Sequence, residues 1–381
     1  MRIFKILNGT RNSKIWLWTT VGVIVLFFTV SLIMTQNLFL YNIVNSVLGG
    51  ERRELVSGDP SQYTYYESDH GGKAETLAAA NALNERIAEE GFILLKNDGL
   101  LPLATPESDK SVSRKPKISV FGHNSVNLVY GGSGSGGSNA AGAVTLYESL
   151  TAAGYEVNTI LKEFYESKAA GDVRDKPVMG DNLLAGVKIG ETPRANYPAD
   201  VRGSYPEYND AAIVVLSRIG GEGFDLPRTM KTSLGEKGVA IAGARSADDH
   251  YLQLDKNEVD MLREVMENFN NVVVLVNSSQ TMELGFLDDP AHYLYTDDGY
   301  KTTVAEAETA MRKLKAALWI GSPGKTGVKA VGRILNGSVN PSGRTVDTFA
   351  RNFENDPTFA NFGTNNALHG NEFYTVNSKG K

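Results

Sequence analysis

Ala211-Ala-Ile-Val-Val-Leu-Ser-Arg-Ile-Gly-Gly-Glu-Gly-Phe-Asp-Leu-Pro227 decides the reading of the fold. Its opening run is apolar without alternation, which predicts a strand covered on both faces rather than wet on one. Gly220, Gly221 and Gly223 then surround Glu222, so the strand ends in a loop with a permissive backbone. Similar runs recur outward from it. Phe92–Leu95 (closed by an Asp98-Gly99 turn), Ile118–Gly122, residues 155–158, Val272–Val276 and Ala316–Ile320 are predicted strands. Helical patterns alternate with them. Ala74–Glu90 places Leu77, Ala80, Leu83 and Ile87 on one face and ends at Gly91. Ala141–Ala153 and about 326–336 are two more. A fourth starts at Asp255, with Glu258 in the capping-box position and a stripe of Val259, Leu262, Val265, Met266 and Phe269. The alternation predicts an α/β fold, a largely parallel sheet sandwiched between helices. Ligands on such sheets bind beyond the carboxyl ends of the strands, where the Glu222 loop lies. Residues 167–208 and 286–313 read as insertions.

The chain has 381 residues, 41% hydrophobic, a net charge of −6 and no cysteine. Mild acidity without a basic run argues against nucleic acid as a partner. Without cysteine there are no disulfides and no thiolate chemistry. Five scattered histidines, with no His-Glu-x-x-His, predict no metal site. Ile15–Met34 lacks charge and is long enough to cross a bilayer. Arg2, Lys5, Arg11 and Lys14 precede it, which predicts a cytoplasmic N-terminus. The alternative is a cleaved signal peptide, but no Ala-x-Ala-like site follows, which favours an uncleaved single-pass cell-membrane anchor. The expected organisation is a basic segment 1–14, a transmembrane helix 15–37, a spacer 38–72, an extracellular α/β domain 73–353, and a tail or linker 354–381.

Two glycine motifs suggest nucleotides and fall short. Gly321-Ser-Pro-Gly-Lys-Thr326 has Trp319 where a P-loop needs its first glycine. Gly132-Ser-Gly-Ser-Gly-Gly137 fits the dinucleotide pattern, but lies well beyond its strand instead of directly after it. No cofactor is expected. A nucleotide-binding domain using Gly132–Gly137 is a minor alternative.

Glu222 is the candidate general acid. Phe224 and Leu226 offer an apolar wall that would raise its pKa, as that role requires near neutral pH. Arg218 and Asp225 are candidates to orient it or bind hydroxyls. The same residue types also fit a solvated glutamate beside an ordinary Arg218–Asp225 ion pair.

Four ordered stretches bear on this choice: Glu90-Gly-Phe-Ile-Leu-Leu-Lys-Asn-Asp-Gly-Leu-Leu-Pro102, Lys117-Ile-Ser-Val-Phe-Gly-His123, the Glu222 loop, and Val339-Asn-Pro-Ser-Gly-Arg344. Together they resemble the α/β-sandwich domain of glycoside hydrolase family 3, the β-glucosidase family, over about 74–350. The resemblance implies that Glu222 is the catalytic acid/base. It also implies that the serine-glycine segment 131–138, with Ser133 and Ser135, borders the cleft for a β-glucoside or oligosaccharide. The family's nucleophile is an aspartate in a separate (β/α)8 barrel with a Ser-Asp-Trp-like motif, and no tryptophan here follows an aspartate. The order of segments resembles a subgroup with reversed domains, which implies a barrel supplied by a continuation of the chain. The expected function is therefore the acid/base-bearing part of a membrane-anchored retaining β-glycosidase. The alternative is a non-catalytic module that binds carbohydrate or protein.

Overall fold

The computed structural model describes residues 9–37, 69–138, 140–176, 186–222, 226–227, 229–232, 238–290, 308–310 and 312–356. The chain divides into two units, Met1–Asp69 and His70–Lys381. In the first, helix α1 (Arg11–Gln36) starts at a capping box in which Thr10 and Ser13 satisfy each other's backbone N–H groups. Its span Arg11–Ile33 has a mean hydropathy of 2.1, long and apolar enough to cross a membrane.

The second unit is built on a six-stranded sheet of order β1-β6-β5-β4-β2-β3. The strands are β1 (Ile93–Asn97), β2 (Lys117–Phe121), β3 (Glu156–Val157), β4 (Ala211–Arg218), β5 (Val272–Ser278) and β6 (Leu314–Trp319). All neighbours pair in parallel except β1, which runs antiparallel to β6 with Ile93 opposite Trp319. Each strand lies within a few residues of its predicted position. Pleating divides the apolar runs between two cores. Ala212, Val214 and Leu216 face a layer of α4 (Thr159–Glu166), α5 (Ala199–Ser204) and α6 (Lys256–Asn268). Ala211, Ile213 and Val215 face α3 (Leu146–Ala152) and the later helix α7 (Lys329–Leu335).

Two expectations are corrected. In α2 (Lys73–Gly91) the apolar stripe turns outward, with Leu77, Leu83 and Ile87 exposed by 57%, 54% and 61%. The helix docks instead through its polar side. Asn84 donates to Thr326 Oγ1 at 2.9 Å, Glu85 pairs with Lys329 at 2.7 Å, and Glu89 pairs with Arg333 at 2.9 Å. Residues 167–208 are also not an appendage. Tyr197, Val201 and Tyr205 belong to the main core, and Glu191 accepts from the backbone N–H of His123 at 3.1 Å. Most of 286–313 lies outside the described residues.

Candidate active site

The carboxyl ends of β2, β4, β5 and β6 share one rim, and Asn277 at the end of β5 ties their exits together. Its amide donates to Val129 O (2.9 Å) and Gly321 O (2.8 Å), while its Oδ1 accepts from Val129 N (2.7 Å) and Ser217 Oγ (2.9 Å). This buried amide is fully satisfied, so it fixes two loops to the end of β4 at once. Sequence reading missed it, because an asparagine ending an apolar run carries no local signal.

The 131–138 segment and the Glu222 loop, far apart in sequence, pack together. Ser133 N donates to Gly220 O at 3.1 Å, and Ser133 bridges to Gly221. A Cβ on Gly221 would sit 2.5 Å from Ser133 N, so only glycine allows this approach. Gly134 has φ +66°, and a Cβ there would come 2.6 Å from Glu222 Cβ. Past these glycines, Ser135 N donates to Glu222 Oε2 at 2.8 Å.

Glu222 is exposed at the tip of this arrangement. Hydrogen bonds from Ser135, through its side chain and its backbone N–H, hold the carboxyl below its ordinary value. The expectation of a raised pKa is thus reversed: among the described residues the Ser135 hydrogen bonds outweigh desolvation, and none forms an apolar wall around the carboxylate. Phe224 and Asp225 lie outside the described residues, so the hydroxyl-binding expectation for Asp225 does too.

Arg218 is corrected as well. It is fully buried, and its guanidinium is occupied by protein. Nη1 and Nη2 each donate to Glu258 at 2.7 Å, Nη1 also to Ser217 O at 2.9 Å, and Nε and Nη2 to Tyr251 O and Gln253 O at 2.5 Å. Burial alone would lower its pKa, but Glu258 outweighs this and holds it above the ordinary value. No donor remains for a sugar, so Arg218 roots the loop instead of touching substrate. Its partner was legible only as a helix cap. Glu258 indeed accepts from Asp255 N at 2.9 Å while also pairing with Arg218.

Beside the loop lies a cleft of about 750 Å³ lined by Leu226, Leu252, Gln280, Trp319, Phe349 and Phe353. The two outer motifs meet nearby, where Ser342 Oγ donates to Glu90 Oε2 at 2.6 Å.

Comparison with known proteins agrees with this fold. The family model for the glycosyl hydrolase family 3 C-terminal domain matches residues 92–378. The chain is 28% identical over 281 residues to β-glucosidase A of Butyrivibrio fibrisolvens, covering 72% of this chain and 29% of that protein. It is 27% identical over 290 residues to a β-glucosidase of Ruminococcus albus, covering 74% and 24%. The chain therefore spans less than a third of the length of these relatives. Among solved structures, β-glucosidase 3B of Thermotoga neapolitana in complex with glucose superposes with a TM-score of 0.50 at 22% identity, over 79% of this chain and 34% of that one. A β-glucosidase of Paenibacillus barengoltzii gives 0.50 at 23%, over 78% and 27%. At such identity these two likenesses speak for the fold alone.

Proposed function

This chain belongs to glycosyl hydrolase family 3 through its C-terminal domain, and on that premise we propose that it is the acid/base-bearing part of a membrane-anchored, β-glucosidase-like retaining hydrolase. One observation carries the reading. Glu222 stands at the carboxyl end of a central strand, on a rooted loop, clasped by a backbone N–H from the glycine-rich segment.

In the retaining mechanism one carboxylate attacks the anomeric carbon while a carboxylic acid protonates the leaving oxygen, and the same acid then activates water as a base. The two groups stand about 5–5.5 Å apart. Glu222 supplies the acid/base, and a barrel domain supplies the nucleophile. With its pKa depressed, the open Glu222 holds the base form near neutral pH. Enclosure by the second domain displaces water around the carboxylate and raises the pKa toward that of a general acid. Ser133 and Ser135 border the substrate from the glycine-rich side. α1 holds the domain at the outer face of a cell membrane, with the N-terminus in the cytoplasm.

The test is hydrolysis of an aryl β-glucoside by the chain alone and after fusion to a family barrel. Turnover appears only in the fusion, and Glu222→Gln lowers it by about 10²–10⁴-fold. Unchanged turnover in that variant sinks the assignment. The cleft lined by Trp319, Phe349 and Phe353 favours a second reading, a non-catalytic module that binds carbohydrate through aromatic faces. Saturable oligosaccharide binding, lost in Trp319→Ala without any turnover in the fusion, would establish it.

A further inference from the structure

Another deeply buried arginine of the unit 70–381, Arg174, stands in circumstances unlike those of Arg218. Arg174 is 6% exposed. Nη1 donates to Asn124 Oδ1 at 2.7 Å and to Asn127 O, and Nη2 to Leu128 O at 3.1 Å and Asn127 Oδ1 at 3.3 Å. These acceptors are all neutral. Nε has no partner, and no described carboxylate forms an ion pair with the group. Burial pulls its pKa down to about 10. Buried charges are normally paired, because a lone one loses its hydration without a Coulombic return.

Arg174 lines a recess of about 380 Å³ together with Lys176, Ser133, Ser138, Tyr130 and Ile219, and none of the lining residues is acidic. Ser133 is buried and its Oγ also lacks a partner. Two cations and an unused hydroxyl therefore line one hollow, large enough for a monosaccharide-sized group. The recess lies against the same glycine-rich segment whose Ser135 N–H holds Glu222.

We propose that this recess is a binding site for a small oxyanion, a carboxylate or phosphate group, held by Arg174, Lys176 and Ser133. Two sources carry that chemistry: a carboxylate borne by the sugar, as in a uronic acid, or a free inorganic anion. The first source rests on the glycosidase reading, whereas the existence of the site does not. The anion supplies the countercharge that Arg174 lacks. It also steadies the segment that clasps Glu222.

The test is calorimetric titration of the full chain in detergent micelles with sodium glucuronate, inorganic phosphate and glucose, at matched ionic strength. Saturable binding of an anion is expected, with none by glucose. Lys176→Gln weakens it at least threefold. Ser133→Ala weakens it too without lowering the unfolding midpoint, since the hydroxyl it removes has no partner. Glu222→Gln leaves it intact, so the site and the hydrolase assignment stand or fall separately. Binding of glucuronate but not phosphate identifies a sugar-borne group, and binding of phosphate alone identifies a free ion. The proposal is overturned if neither anion binds at millimolar concentration. It is equally overturned if glucose binds as well as glucuronate, or if both Lys176→Gln and Ser133→Ala bind like the parent.

Discussion

The root and the tip of the segment leaving β4 each carry one charge and treat it in opposite ways. At the root, Arg218 is sealed from water and shares two hydrogen bonds with Glu258, itself 1% exposed. At the tip, Glu222 faces solvent and, among the described residues, is held by Ser135. Arg218 is built for position, because a buried pair resists rearrangement once formed. Glu222 remains free to exchange a proton and to meet whatever closes over it. The three intervening residues, Ile219, Gly220 and Gly221, convert the one environment into the other.

The strongest attempt to break this contrast is Arg218→Ala. It strands Glu258 in the core and should cost about 3–5 kcal/mol, read as a lower urea midpoint of the full chain in micelles. An unchanged midpoint would mean that the root is not structural. Gly134→Ala comes next. It forces a side chain into left-handed backbone and against Glu222, so about 1–2 kcal/mol of stability should be lost. The Glu222 carboxyl resonance should shift with it.

The pH dependence is smaller. Glu222 has a folded pKa below its unfolded value near 4.5, so the stability it adds is present above that value. It is lost as pH falls through the folded pKa. Carboxyl NMR titration should place the midpoint under 4.5, and Ser135→Ala should move it partway back up. A midpoint above 4.5 would contradict the clasp. Glu222→Gln should have the smallest effect, removing at neutral pH only the small stability that the Ser135 clasp adds. A loss as large as that of Arg218→Ala would make the tip a structural element like the root.

How much of this was legible depends on what a local pattern encodes. The strands were readable because runs such as Val272–Val276 have few alternatives to burial. The helix at Lys256–Asn268 was readable because its cap and its stripe agree. The helix at Lys73–Gly91 has an equally plain stripe and buries the other side. Periodicity reports that a helix has two faces, and only tertiary partners such as Thr326, Lys329 and Arg333 decide which one docks. The site divides in the same way. Glu222 and the glycine-rich segment were found by composition, and their contact through Ser135 was not. Arg218 was misplaced because its partner lies forty residues downstream, in a position that already had a local explanation as a cap.

The antiparallel edge strand has a consequence for assembly. β1 emerges first from the ribosome among the six strands, yet among the described residues its one ladder is with β6, Ile93 meeting Trp319. At a translation rate of about 5–20 residues per second, roughly 10–45 s separate the two strands. Throughout that interval β1 is an unpaired edge, and the sheet cannot close on that side. This late, high-contact-order closure leaves the edge of the early half open while the chain is made, and slow synthesis through 220–314 would lengthen the exposure.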